Sequence, residues 1–155
     1  MSQILESIDV DVPVRTAYDQ WTQFESFPEF MEGIERVEQL TDTTLEWTAN
    51  IAGVDRSWTA EITEQTPDQR IAWKAVDGAE NAGVVTFHRL DDHKSRVTLQ
   101  LDVEPEGVVE SVGDALGFVQ RRAKGDLERF KTFIEDRQAP TGAWRGEVKQ
   151  SDVVG

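Results

Sequence analysis

The run VVESVGDALGFVQRRAKGDLERFKTFIEDR, residues 108–137, decides the architecture of this chain. Val109, Val112, Leu116, Val119, Ala123, Leu127, Phe130 and Ile134 recur at alternating steps of three and four, which sets them on one face of a helix. Arg121, Lys124, Glu128, Arg129, Lys131 and Glu135 fill much of the other face. At 1.5 Å per residue such a helix spans roughly 43 Å. Nearly everything before it reads as strand. One amphipathic helix after a run of strands must bury its apolar stripe against the sheet they form. The functional question is what lies between helix and sheet.

Working outward, Gln3 to Val12 alternates as a half-buried strand, with Ile4, Ile8, Val10 and Val12 in one phase and Ser7, Asp9 and Asp11 in the other. Glu6 falls in the apolar phase, so it either points inward or sits at a strand end that reaches water. Pro13 suits the first turn of a helix, and Val14, Ala17, Tyr18 and Trp21 give that helix an apolar face. Phe24, Phe27, Phe30 and Met31 follow in a short helix broken near Pro28. They serve either as core or as the mouth of a pocket.

Strands are then expected at 35–40, 44–52, 54–65, 69–76, 83–90 and 96–104. The short turns between them make antiparallel neighbours. The inward phases carry Trp47, Trp58 and Trp73 on consecutive strands and Phe87 on the next. Small residues lie beside them: Ala49, Ala60 and Ala75 on strands, and Gly113, Gly117 and Gly125 in the helix. Glycine inside a helix costs about 1 kcal/mol relative to alanine. Close helix–sheet contact and room for a ligand explain those glycines equally well. Residues 1–137 are expected to form one domain, and the polar stretch 138–155 a flexible tail in which Trp144 is either incidental or docked.

Thirty acidic residues against sixteen basic ones give a formal charge of −14. Such a surface repels phosphate and anionic lipid, so nucleic acid and stable membrane insertion are not expected. The chain has no cysteine, which excludes disulfides and thiol catalysis. No basic, apolar leader and no membrane-length apolar run stand out, so a soluble, cytoplasmic protein is expected. There is no glycine-rich phosphate loop and no GxSxG elbow. The only histidines, His88 and His93, lack metal-ligand spacing and are expected at the surface, so neither metal nor cofactor is expected. The polar residues left on apolar phases are Glu6, Arg56, Glu64 and Arg89. A buried carboxylate could act as general acid or base, and an arginine could hold an enolate oxygen.

The order of elements, with Ile8-Asp-Val-Asp-Val-Pro13, Tyr18-Asp-Gln-Trp21, Phe24-Glu-Ser-Phe27-Pro28-Glu-Phe30-Met31, Pro105-Glu-Gly107 and Asp126-Leu-Glu-Arg-Phe130, resembles the polyketide cyclase/dehydrase and lipid-transport branch of the START/Bet v 1-like (SRPBCC) superfamily. The resemblance covers residues 3–137. It implies an α+β helix-grip fold: a curved, antiparallel, seven-stranded sheet around the long C-terminal helix, two short helices after the first strand, and a hydrophobic cavity. Aromatic polyketide cyclases of that branch use a pocket arginine and tyrosine, whose positions fall here at Glu64 and Ile34 and are not retained. The coenzyme Q-binding proteins carry a similar aromatic-Pro-aromatic segment and bind a polyprenyl quinone without chemistry.

Three functions are therefore expected in competition. The first is binding of a small hydrophobic ligand, such as a lipid, polyprenyl quinone or polyketide-like molecule. Its wall would be Trp47, Trp58, Trp73 and Phe87, its mouth Tyr18, Phe27, Phe30 and Met31, and its helix side Leu116 and Val119. The second is a cyclase or dehydratase using Arg56 with Glu6 or Glu64. The third is a closed-core interaction domain. Apolar groups at the mouth would allow a homodimer.

Overall fold

Strand β1 (Ser2–Val10) leads through Pro13 into helix α1 (Val14–Trp21), and a 3-10 turn over Phe24–Glu29 follows with Pro28 inside it. The computed structural model describes residues 2–51, 53–77, 81–103, 112–150 and 152–154. The chain then lays down β2 (Ile34–Gln39), β3 (Thr44–Ile51), β4 (Val54–Thr66), β5 (Arg70–Asp77), β6 (Asn81–Asp91) and β7 (Lys94–Val103). Helix α2 (Val112–Arg137) comes next. The expected helical residues 108–111, and the strand ends at Ala52 and Glu104, lie outside the described residues.

Consecutive strands from β2 to β7 pair antiparallel, as their short turns require. Strand β1 pairs with β7, giving the order β1-β7-β6-β5-β4-β3-β2. The sheet is irregular in β2, β4 and β6, where the register shifts. Such bulges bend a strand and increase its twist. Ala123, Leu127, Phe130 and Ile134 of the α2 stripe are all buried, in one cluster with Val85, Val97 and Leu99 of the sheet. The apolar stripe thus does what its period requires: the fold is a sheet closed on its C-terminal helix, with α1 and the 3-10 turn at one end.

The C-terminal stretch differs from the expected flexible tail. It forms two further short strands, β8 (Glu147–Lys149) and β9 (Asp152–Val154), so that among the described residues the seven expected strands are joined by two more at the edge of β4. Strand β3 pairs with β4 only as far as Glu61, and β8 takes up the vacated edge opposite Glu64 and Gln65. Val148 is 0% exposed there. Ahead of β8 the chain is tied to α1. Thr141 N–H donates to Gln20 Oε1 at 2.8 Å, and Trp144 N–H to Thr22 Oγ1 at 3.1 Å. Arg145 bridges Asp19 at 2.5 Å and Asp68 at 2.7 Å, with its guanidinium 5.5 Å from the Tyr18 ring centroid. Trp144 is therefore docked, and an unpaired sheet edge is covered by the chain's own end. Among the described residues, no helix is long and apolar enough to cross a membrane.

Candidate ligand cavity

A cavity of about 220 Å³, partly open to solvent, lies between α2, the sheet and the segment around the 3-10 turn. Strand β3 contributes Leu45, Trp47 and Ala49, β4 contributes Trp58 and Ile62, and β5 contributes Ile71 and Trp73. Val85, Leu99 and Leu101 continue the floor. Val119, Ala123 and Leu127 of α2 form the roof, and Trp21, Phe24, Phe27, Met31 and Ile34 close one end. Trp47 and Trp58 are directly opposite in register and stack with ring centroids 5.9 Å apart and planes 4° apart.

Among the described residues, charge enters this cavity at one corner. Glu32, Arg122 and Asp126 line it there, beside Gly33. The corner is built by bonds between α2 and the chain at 30–33. Arg122 Nη1 donates to the Glu32 carbonyl at 2.5 Å, Arg129 Nε donates to the Phe30 carbonyl at 3.0 Å, and Glu32 N–H donates to Asp126 Oδ1 at 3.1 Å. Arg129 also donates to Asp126 Oδ1 and sits 3.4 Å from Glu32 Oε2. Gly33 has φ +89° and backs onto the Arg122 guanidinium, so the turn needs both the left-handed backbone and the missing side chain. The Asp126 side chain is 14% exposed. Burial pushes its carboxyl up to about 6, against the lowering effect of the Arg129 hydrogen bond.

Of the side chains expected to hold a ligand, Phe27, Met31, Trp47, Trp58, Trp73 and Val119 do line the cavity. Tyr18, Phe30 and Phe87 do not line it and are buried behind its wall. Their rings are packed on other aromatic rings. Tyr18 meets Phe87 edge-on at 5.3 Å, and Phe30 packs on Phe130 and Phe133 at 5.3 Å each. Burial also pushes the Tyr18 hydroxyl up to about 12. The side chain of Leu116 lies outside the described residues, as do those around Gly113 and Gly117, and Gly125 does not line the cavity.

None of the four polar residues expected on inward phases lines the cavity, and Arg89 is exposed and paired with Asp92. Arg56 shares a face with Trp58 but lies near the β3–β4 hairpin end and is exposed. Glu64 is displaced by a bulge. Ile62 pairs with Trp73 and Glu64 with Ala72, so Thr63 is the extra residue and the alternation slips by one. Gln65 therefore points inward and is buried, while Glu64 pairs with Arg70 at 3.2 Å outside. Glu6 keeps its inward phase but meets a separate groove between β1 and α2, beside Lys124 and Glu128. His88 and His93 are both exposed. Among the described residues, no three His, Cys, Asp or Glu side chains converge as metal ligands.

Sequence reasoning missed Glu32, Arg122 and Asp126. The available signal was the flank of the α2 stripe: Asp126 follows Ala123 by three and Val119 by seven, next to Leu127. A polar residue in that row borders whatever the stripe faces.

A sheet folded on its C-terminal helix around an apolar cavity defines the class as a START/Bet v 1-like, helix-grip protein. The chain belongs to the polyketide cyclase/dehydrase and lipid transport family, whose model matches residues 10–132. The 17.2 kDa protein in the melC2-rnhH intergenic region of Streptomyces lincolnensis is 62% identical over 149 residues, covering 96% of this chain and 99% of its own. The Zhui aromatase/cyclase from Streptomyces sp. R1128 superposes with a TM-score of 0.76 at 16% identity, over 92% of this chain and 99% of that one. A START superfamily protein from Mycobacterium smegmatis does so at 0.66 and 14% identity, over 82% and 97% of the two chains. These structural likenesses establish the fold.

Proposed function

We propose that the protein binds a small, mainly apolar ligand carrying one oxygenated polar end. The observation behind this reading is that, among the described lining residues, Glu32, Arg122 and Asp126 gather at one corner and the rest are apolar. Ligand sites are typically apolar concavities with a few placed polar groups. At about 220 Å³ the space falls below the roughly 300–1,000 Å³ of sites for drug-sized molecules. It suits a ring system or a short chain better than an enclosed polyprenyl tail. The same open space weighs against the closed-core reading.

The test is calorimetric titration of menadione and of oleate into the wild type and into Ala49→Phe. Ala49 is buried in the wall, so phenylalanine there fills the cavity. Saturable binding to the wild type that is lost in the folded variant supports the proposal. Binding that survives a filled cavity defeats it.

Asp126 favours one second reading, a cyclase or dehydratase. A carboxyl that titrates at about 6 can give and take a proton near neutral pH. Arg56, Glu6 and Glu64 have no part in that version, because none of them lines the cavity. Turnover of a poly-β-keto substrate that is unchanged in Asp126→Asn would remove its chemical basis.

A further inference from the structure

Four residues lie abreast across the sheet in register: Ile62 on β4, Trp73 on β5, Gly83 on β6 and Leu101 on β7. Ile62, Trp73 and Leu101 line the cavity. Gly83 is buried between the last two and presents no side chain. The Trp73 indole occupies the space a side chain there would take. A Cβ on Gly83 would lie 2.7 Å from Trp73 Cε2 and 2.9 Å from Cη2, with Cζ2 closer still. The ring therefore lies sideways over β6 instead of standing up toward α2. Glycine in a strand interior weakens the strand, and a close approach by another group is one reason to keep it.

We propose that Gly83 fixes the width of the cavity, and with it the girth of ligand admitted, by giving the Trp73 indole its berth. The inference rests on the ligand-binding reading above. Its logic is steric. Relieving the Cζ2 contact, the closest of the three, to the roughly 3.5 Å of an ordinary carbon contact moves the ring by about 1 Å. The β6 backbone lies on one side, so the ring moves toward the open side, which is the cavity. A rigid fused-ring ligand loses more than a flexible chain, because a chain can bend around the displaced indole.

The test compares the wild type, Gly83→Ala, and Gly83→Ala combined with Trp73→Phe, whose smaller ring leaves room for the new methyl. Crystal structures of the three proteins read the ring position, and titration with menadione and with oleate reads the consequence. An extra methylene in a pocket is worth about tenfold or more, so Gly83→Ala weakens menadione by at least that factor and oleate by less. The double variant restores menadione binding. An indole unmoved, or displaced outward with the cavity unchanged, overturns the inference. So does equal menadione affinity in the wild type and Gly83→Ala. If Gly83→Ala alone fails to fold, a folded double variant that does not bind menadione overturns it too. If the wild type binds neither probe, the ligand reading is what fails, and the crystal structures alone decide whether Gly83 sets the width.

Discussion

Replacing Asp126 by asparagine should change how stability depends on pH, with a sign opposite to that of most carboxylates. In the folded protein burial raises this carboxyl from 3.8 to about 6. A raised acid favours its protonated form in the native state. Its contribution is complete below the unfolded value and is lost as pH rises through the folded value. The window is therefore about pH 4 to 6, set by those two values. At 1.36 kcal/mol per unit between them, ionising Asp126 costs the folded state about 3 kcal/mol. Asparagine keeps the shape and cannot titrate. The assay is urea unfolding of both proteins at about pH 4 and about pH 7. The quantity to follow is the stability of the wild type minus that of Asp126→Asn. Groups common to both proteins cancel, including Asp9, which the Arg96 hydrogen bond holds below its usual value. The difference should fall by about 2–3 kcal/mol between the two conditions. A difference that stays level, or rises with pH, would refute the reasoning. Asp126 would then be an ordinary ion-paired carboxylate.

Arg145→Ala should lower stability by about 2 kcal/mol in the same unfolding assay at neutral pH, because it leaves Asp19, with a side chain 7% exposed, without its closest cation. A loss under about half a kcal/mol would mean that the C-terminal strap is held by its other contacts, among them Thr141 on Gln20, Trp144 on Thr22 and the buried Val148. Phe27→Ala removes a ring 2% exposed, lying 5.3 Å from Trp21 and 5.6 Å from Trp47. It should cost about 3–5 kcal/mol and enlarge the cavity, as read by urea unfolding and by a crystal structure.

Most of the frame could be read from residue order. The three–four spacing of Ala123, Leu127, Phe130 and Ile134 forces a buried stripe, and these four are buried. The phases of Trp47, Trp58 and Trp73 likewise put all three on the cavity wall. What failed to show has physical causes. A bulge adds one residue without a composition signal, so the alternation in β4 carried Glu64 inward on paper while Thr63 turned it outward in the fold. Aromatic residues at one spacing do not declare whether they face a void or each other, which is why Tyr18, Phe30 and Phe87 read like Phe27 and Met31. The C-terminal strands are three residues each, too short for an alternation to register, and their anchors, such as Arg145 on Asp19 and Asp68 and Thr141 on Gln20, lie far apart in the chain. Asp126 is hidden for the converse reason. Its carboxyl is raised by burial, against the lowering pull of Arg129, Glu32 and Arg122, and only the fold brings the chain at Glu32 over α2 to bury it.

The most direct test of the central claim is native mass spectrometry of gently purified protein, followed by denaturation and identification of what is released. A cavity lined by Trp47, Trp58 and Trp73, with Asp126 at one corner, predicts a one-to-one adduct. The released compound should be largely apolar, with an oxygen function at one end. A clean mass for the protein alone, together with no saturable binding of menadione or oleate, would contradict the account.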